Sequence, residues 1–297
     1  MRPPAFDYVA PASADGVLEC LERGGGDAKV IAGGQSLVPL LNFRLARPEL
    51  LVDLRRVPDL DGLSVEADRV VIGATMTHRA VEMADELHEV LPIMRAAATH
   101  IGHPAIRNRG TIGGSLAHAD AAAEWPIVAA ALGARMHVLC PTGDRIVDAR
   151  DFFVGYLTTA LETNELLTAI EFPTSSAGAG WSFGEFARQP GAFALVIVVV
   201  LARLDASGRT EALSIAVGGV DAAPVVVDAE LLGLLGAIPS SALVREAAEM
   251  VVRGLEPPED VHASRQDRRD IARALVCRGL AEAFERAGAT NVDGEGR

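Results

Sequence analysis

At 297 residues and 49% hydrophobic content, the chain is long enough for two or three packed units, taking about 150 residues per domain as a soft guide. Its formal net charge of −13 comes from 40 acidic against 27 basic side chains, and the basic ones are scattered, which disfavours a nucleic-acid partner. Cys20, Cys140 and Cys277 are odd in number and far apart, so neither a disulfide framework nor a zinc or iron–sulfur site is legible.

The opening residues, Met1 to Tyr8, lack an apolar core and do not resemble a secretion signal. Residues 1 to about 56 read as a small βαβ-like unit. Ser13 or Asp15 caps a helix through Val17, Leu18, Cys20 and Leu21, which the run Gly24-Gly25-Gly26 stops. A strand follows at Lys29 to Ile31, and then the loop Ala32-Gly33-Gly34-Gln35-Ser36-Leu37. Leu37 to Leu45 reads as a short apolar turn or helix, and Leu50 to Leu54 as a further strand.

A second unit, residues 57–175, opens with strands at Leu63 to Val65 and Arg69 to Gly73. Thr75 to Thr77 leads into a helix carrying Val81, Met83, Ala84 and Leu87, and Leu91 to His100 has apolar residues at helical spacing. A basic approach, Ile106 to Arg109, then meets the paired-glycine turn Thr111-Ile112-Gly113-Gly114-Ser115. Behind it lie an Ala-rich helix from Ala121 to Leu132 and strands at Arg135 to Cys140, Arg145 to Val147 and Glu165 to Phe172.

Pro173 to Gly180 reads as a linker of small residues and marks the main boundary. Residues 181–290 form an α+β domain, with strands from Trp181 to Phe186, Leu195 to Leu204, Ala212 to Val217 and Val225 to Val227. Helices follow around Ser241 to Val252 and Arg265 to Ala287. The tail, residues 291–297, is expected to be disordered. The apolar run Ala192 to Ala202 is about half the ~20 residues a membrane helix needs and suits a buried strand, so no transmembrane segment is expected.

The two glycine loops carry the chemistry. Paired glycines let backbone N–H groups converge without Cβ obstruction, and Thr111, Ser115 and Ser36 add hydroxyls, a combination suited to an anion. Two such loops, about eighty residues apart, could grip one diphosphate. G-x-G-x-x-G after the first strand, G-x-x-x-x-G-K-[ST], H-E-x-x-H and G-x-S-x-G are all absent, which disfavours the common nucleotide, metalloprotease and serine-hydrolase sites.

The segments Ile31 to Pro39, His100-Ile101-Gly102, Ile106 to Ser115, Asp151-Phe152-Phe153 and Glu165-Leu166-Leu167 together resemble the FAD-binding medium subunit of molybdenum hydroxylases, the superfamily of carbon monoxide dehydrogenase and xanthine dehydrogenase. The resemblance covers nearly the whole chain. It implies a two-subdomain α+β FAD-binding fold of the vanillyl-alcohol oxidase (PCMH) type followed by a smaller C-terminal α+β domain. It further implies that Ala32, Gly33, Gly34, Gln35, Ser36 and Leu37, with Thr111, Ile112, Gly113, Gly114 and Ser115, embrace the FAD pyrophosphate.

By the same resemblance, Glu124, nine positions beyond the second loop, is expected at the ribose or adenine, or else on a helix surface. Ile101 and Leu167 are expected beside the isoalloxazine, or else in the core, with Ile101 and Glu124 at opposite ends of one FAD. Arg188 falls where the family has a basic pair followed by an acid, but here Gln189 and Ala192 replace the second base and the acid, which puts affinity for FAD in question. Ala121 stands where relatives place Pro, with Asp120 still able to cap the helix. His78, His100, His103 and His118 read as structural or loop-polar, and Trp125 and Trp181 as packing anchors.

The implied function is electron transfer in a cytoplasmic heteromer. A large subunit carries the molybdenum cofactor, a small subunit carries two [2Fe–2S] clusters, the whole is a dimer of heterotrimers, and FAD on this chain passes electrons to an external acceptor. A self-contained flavin oxidase of the vanillyl-alcohol oxidase type, and a non-enzymatic flavin-binding scaffold, are the alternatives.

Overall fold

A computed structural model describes residues 3–174 and 179–289. The first unit is a three-stranded parallel sheet of β1 (Asp7–Val9), β2 (Ala28–Ile31) and β3 (Leu50–Asp53), with β3 in the middle. Its crossover helix α1 (Ala14–Gly24) starts at Ser13, whose side chain accepts from the Gly16 N–H, and buries Val17, Leu18 and Leu21. A parallel pair needs such a crossover, so the apolar stripe of α1 and the inner residues of β2 and β3 form one small core. The short helix α2 (Leu37–Asn42) follows the first glycine loop.

The second unit is an antiparallel sheet of β4 (Leu63–Val65), β5 (Arg69–Gly73), β6 (Arg135–Cys140), β7 (Gly143–Asp148) and β10 (Leu166–Pro173). The spatial order is β4-β5-β10-β6-β7. Between β5 and β6 lie the helices α3 (His78–Met83), α4 (Asp85–Val90), α5 (Ile93–His100), α6 (Pro104–Arg107), α7 (Ile112–His118) and α8 (Glu124–Leu132). After β7 come α9 (Ala149–Phe152) and the small hairpin β8 (Phe153–Gly155) and β9 (Thr158–Thr159).

The helix expected through Val81 and Leu87 is two helices, because the chain turns at Ala84 out of helical geometry. The helix expected from Ala121 begins at Glu124 instead. Asp120 accepts from the Ala122 N–H and caps a turn rather than α8, whose first turn follows Ala123.

The C-terminal sheet runs β11 (Gly180–Ala187), β12 (Ala194–Leu204), β13 (Thr210–Gly218) and β14 (Val225–Asp228), all antiparallel and in chain order. The helices α10 (Ala229–Leu232), α11 (Ser241–Arg253) and α12 (Arg265–Arg286) complete it. The long apolar run falls on β12, which is covered on both faces. Val196, Val198 and Val200 enter the core under α11 and α12, while Ile197, Val199 and Leu201 enter the core built by α5 and α8. One strand therefore belongs to two cores, and it is not a membrane element; no helix among the described residues is long and apolar enough to cross a membrane.

The linker expected over Pro173 to Gly180 is shorter than that. Pro173 ends β10, Thr174 is buried and donates to the Ala67 carbonyl, and Gly180 opens β11. Gly180 has no room for a side chain, since a Cβ there would lie 2.6 Å from the Ala287 nitrogen of the α12 cap. Residues 175–178, and the tail expected to be disordered, fall outside the described residues.

Trp125 ties α8 to α3. It is buried among apolar side chains and donates its indole N–H to Nδ1 of His78 at 2.9 Å. Burial, and secondarily the charge of Arg107, hold the imidazole down at about 4, so it stays neutral and free to accept. Replacing Trp125 with Phe keeps an aromatic ring but removes the donor and part of the buried indole volume, which should cost at least about 1–3 kcal/mol. A lower urea midpoint with an unchanged m-value is the expected result; an unchanged midpoint would mean that the bond does nothing for stability.

Candidate functional site

The first glycine loop leaves β2 at Ile31 and enters α2 at Leu37. Gly34 takes the left-handed conformation, φ +73°, that favours glycine. Gln35 folds back so that its amide donates to the Gly33 carbonyl at 3.1 Å. Among the described residues, the backbone N–H groups of Gly33, Gly34, Gln35, Ser36 and Leu37 find no acceptor within the chain. Five adjacent donors, half-buried and unpaired, form the anion nest expected of this loop.

The second loop differs from its expected form. Gly113 and Gly114 are not in a turn; they lie in the first turn of α7. Thr111 is the N-cap, and its hydroxyl accepts from the Gly114 N–H at 3.1 Å. Ile112 N–H donates to the Met76 carbonyl, Gly113 N–H to the Ala74 carbonyl and Ser115 N–H to the Thr111 carbonyl. The inward-facing amides expected here are already engaged. What remains is the Thr111 hydroxyl proton, the Ser115 side chain and the exposed Asn108 and Arg109 nearby.

Glycine is needed in this segment for close approach rather than for turning. A Cβ on Gly113 would lie 2.7 Å from Ala74 Cα, and one on Gly110 would lie 2.7 Å from the His78 ring. The two loops themselves meet. A Cβ on Gly33 would strike the Arg109 carbonyl group and lie 2.7 Å from Gly110 Cα, while one on Gly114 would lie 3.8 Å from Ala32 Cβ. Ala32 to Leu37 and Thr111 to Ser115 are thus brought into one cradle, its floor free of side chains, with donors from one loop and hydroxyls from the other. A diphosphate fits that chemistry.

The other expected residues lie on other elements. Ile101 ends α5 and is buried; the Arg107 guanidinium donates to the Ile101 and Gly102 carbonyls and to Glu82, which fixes that turn. Leu167 is buried in β10 at a bulge opposite β6. Both belong to the same core cluster. Arg188 lies at the exposed end of β11, and its guanidinium meets Nδ1 of His262 at 2.8 Å. The turn that carries Gln189 and Ala192 folds over the end of α5, where a Cβ on Gly191 would lie 2.7 Å from Cε1 of His103.

Glu124 is the first residue of α8 and is half-buried. Its carboxyl is enclosed at the first turn of α8, with a hydrogen bond only to its own backbone. Burial first, then the charges of Glu185 and Asp120, push it up to about 8. Glu185 in turn lies 3.5 Å from Nδ1 of His100, the residue before Ile101. Helix α8 packs beside α5. Glu185 and His100 were not singled out together in the sequence; the only signal was that strand alternation puts Glu185 on the face of Trp181 and Phe183 that covers α5.

Comparison with known proteins gives consistent matches. Residues 4–175 match the family model described as the FAD binding domain in molybdopterin dehydrogenase, and residues 181–283 the CO dehydrogenase flavoprotein C-terminal domain. The chain is 42% identical over 288 residues to the 6-hydroxypseudooxynicotine dehydrogenase complex subunit alpha of Paenarthrobacter nicotinovorans, covering 97% of each chain. It is 35% identical to the carbon monoxide dehydrogenase medium chain of Hydrogenophaga pseudoflava, covering 96% of this chain and 99% of the relative. Among solved structures, quinoline 2-oxidoreductase from Pseudomonas putida 86 superimposes with a TM-score of 0.91 at 40% identity, over 97% of this chain and 99% of that one.

Gly33→Ala should separate the loops. Overpacking of about 1–3 kcal/mol, if it must be met again to close the loops around FAD, corresponds to roughly a 5- to 150-fold loss in FAD affinity. Gly26→Ala, where a Cβ meets nothing within 4 Å, is the control and should bind as the parent does. Equal FAD affinity in both variants by fluorescence titration would remove the loop contact from the site.

Proposed function

The chain belongs to the FAD-binding medium-subunit family of molybdenum hydroxylases, and from that premise we propose that it relays electrons within such a complex. In this reading, two [2Fe–2S] clusters on a small subunit deliver electrons taken from substrate at the molybdenum cofactor of a large subunit. FAD on this chain hands them to an external acceptor. The observation that carries the reading is the row of unpaired N–H groups from Gly33 to Leu37, seated against Ala32, Gly114 and the Arg109–Gly110 backbone.

When bound, FAD supplies the redox chemistry, and the protein supplies binding, orientation and electrostatics. Gly33 to Leu37 hold the diphosphate through their amides, and Thr111 and Ser115 complete its coordination through hydroxyls. Ile112 and Gly113 serve by seating α7 on Met76 and Ala74. Ile101 and Leu167 would border the isoalloxazine and Glu124 the ribose or adenine, and Arg188, which meets His262 at 2.8 Å, would lie toward the flavin edge. The FAD-binding portion comprises subdomains at residues 1–56 and 57–175, and residues 181–290 form the C-terminal domain. The complex is a cytoplasmic dimer of heterotrimers. Relatives named for 6-hydroxypseudooxynicotine and quinoline favour an N-heteroaromatic compound as the substrate of the large subunit.

Co-expression with its neighbours and purification through a tag on this chain tests the reading. A flavin spectrum with one FAD per chain, and co-purifying subunits that contain molybdenum and iron, are the expected results. A chain that takes up no FAD on reconstitution would overturn it, and alcohol oxidation by the isolated flavoprotein would favour a self-contained oxidase.

A further inference from the structure

Two large apolar side chains stand in water on the wall that carries the first glycine loop. Helix α2 starts at Leu37, the last donor of the nest, and its Leu41 is buried. Just past its end Phe43 is 63% exposed and Leu45 76%, with Val38 of the first turn at 42%. Single exposed apolar residues are ordinary, but three so close together on one short element form a patch.

The turn that displays them is fixed rather than loose. Phe43 N–H donates to the Pro39 carbonyl, and the Leu45 and Ala46 N–H groups both return to the Leu40 carbonyl. Between them Arg44 takes the left-handed conformation, φ +59°, where glycine is the ordinary choice. Arg47 then braces the turn, its Nε donating to the Arg44 carbonyl at 3.1 Å. A strained arginine thus holds a phenylalanine and a leucine in solvent.

The charge around the patch is positive, on a chain of net charge −13. From Lys29 to Val52 the basic residues are Lys29, Arg44 and Arg47, against Glu49 alone. Elsewhere in the FAD-binding portion Arg69, Arg95, Arg107, Arg135 and Arg145 each face a carboxylate. Arg44 and Arg47 are exposed and face none among the described residues. Across the loop, the exposed Arg109, whose carbonyl meets Gly33, faces none either.

We propose that Phe43 and Leu45, flanked by Arg44 and Arg47, dock this chain onto the iron–sulfur subunit of its complex, in an apolar socket rimmed by carboxylates. The proposal rests on the electron-relay reading, which requires two partners. The partner that hands electrons to FAD must touch the wall that holds it, whereas the molybdenum subunit can be held through the iron–sulfur one. A second copy of this chain fits poorly, because a two-fold contact would press two copies of the same cationic patch together. Aromatic and arginine side chains are the usual anchors of protein contacts. Unpaired cations steer an acidic partner in a salt-dependent way.

Purification of the complex through a tag on this chain, with iron, molybdenum and flavin measured together, tests the docking role. The parent should carry both metals in fixed ratio to FAD. Phe43→Ser/Leu45→Ser and Arg44→Glu/Arg47→Glu should each bind FAD as the parent does, since neither pair belongs to the nest. Each should hold the iron–sulfur subunit at least about tenfold more weakly. Raising the salt concentration should weaken the parent's association and not that of Arg44→Glu/Arg47→Glu.

Parent-like iron per FAD and parent-like affinity in both variants would overturn the docking role. Loss of molybdenum with iron retained would overturn it in favour of the large subunit, and a dimer of the isolated chain that either variant dissolves would do so in favour of a second copy. A parent that binds FAD but recruits no iron-containing chain would count against the electron-relay reading itself, and the docking role would fall with it.

Discussion

The structure depends on an approach between two backbones that only a missing Cβ permits. Gly33 sits against the Arg109 carbonyl and the Gly110 Cα, which joins the parallel βαβ unit to the helical layer of the antiparallel sheet. Behind that contact the same rule repeats inward. Gly110 abuts the His78 ring, Gly113 abuts Ala74, and His78 is bonded to Trp125 at the head of α8. A chain of close approaches therefore runs from the loop to the core, and a methyl group added along it would be resisted by backbone, which cannot rotate away as a side chain can.

That packing gives the loops different roles. In the second, secondary structure and the Thr111 cap consume the amides, so the segment is a rigid wall with hydroxyls. In the first, no such partner exists among the described residues, and five donors are left for a ligand. These amides are half-buried, and an anion would give them charge-assisted hydrogen bonds, which ties order in the first loop to its occupant.

Much of the fold was legible in the sequence because local signals agreed with tertiary demands. The helix after Ser13 has its cap, apolar stripe and terminal glycines, and the apolar run Ala192 to Ala202, too short for a membrane and rich in β-branched residues, lies largely on the strand Ala194–Leu204. Both formed as read. The failures are of one kind. Gly113-Gly114 reads as a turn because glycine ordinarily opens helices, yet here its smallness was the selected property, serving contact with Ala74. Asp120 reads as the cap of α8, but a three-residue turn intervenes. The approach of Glu185 to His100, at 3.5 Å, comes from a strand some eighty-five residues further along, and only the sheet register of the C-terminal part reveals it.

The central claim is that FAD is held chiefly by the amides of the first loop, with the second loop as a preformed wall. Amide hydrogen exchange, resolved to single residues with and without FAD, tests this most directly. Gly33 to Leu37 should exchange rapidly in the free chain and become strongly protected when FAD is added, while Ile112 to Ser115 should be protected in both states. New protection confined to Ile112 to Ser115, with Gly33 to Leu37 unchanged, would contradict the account.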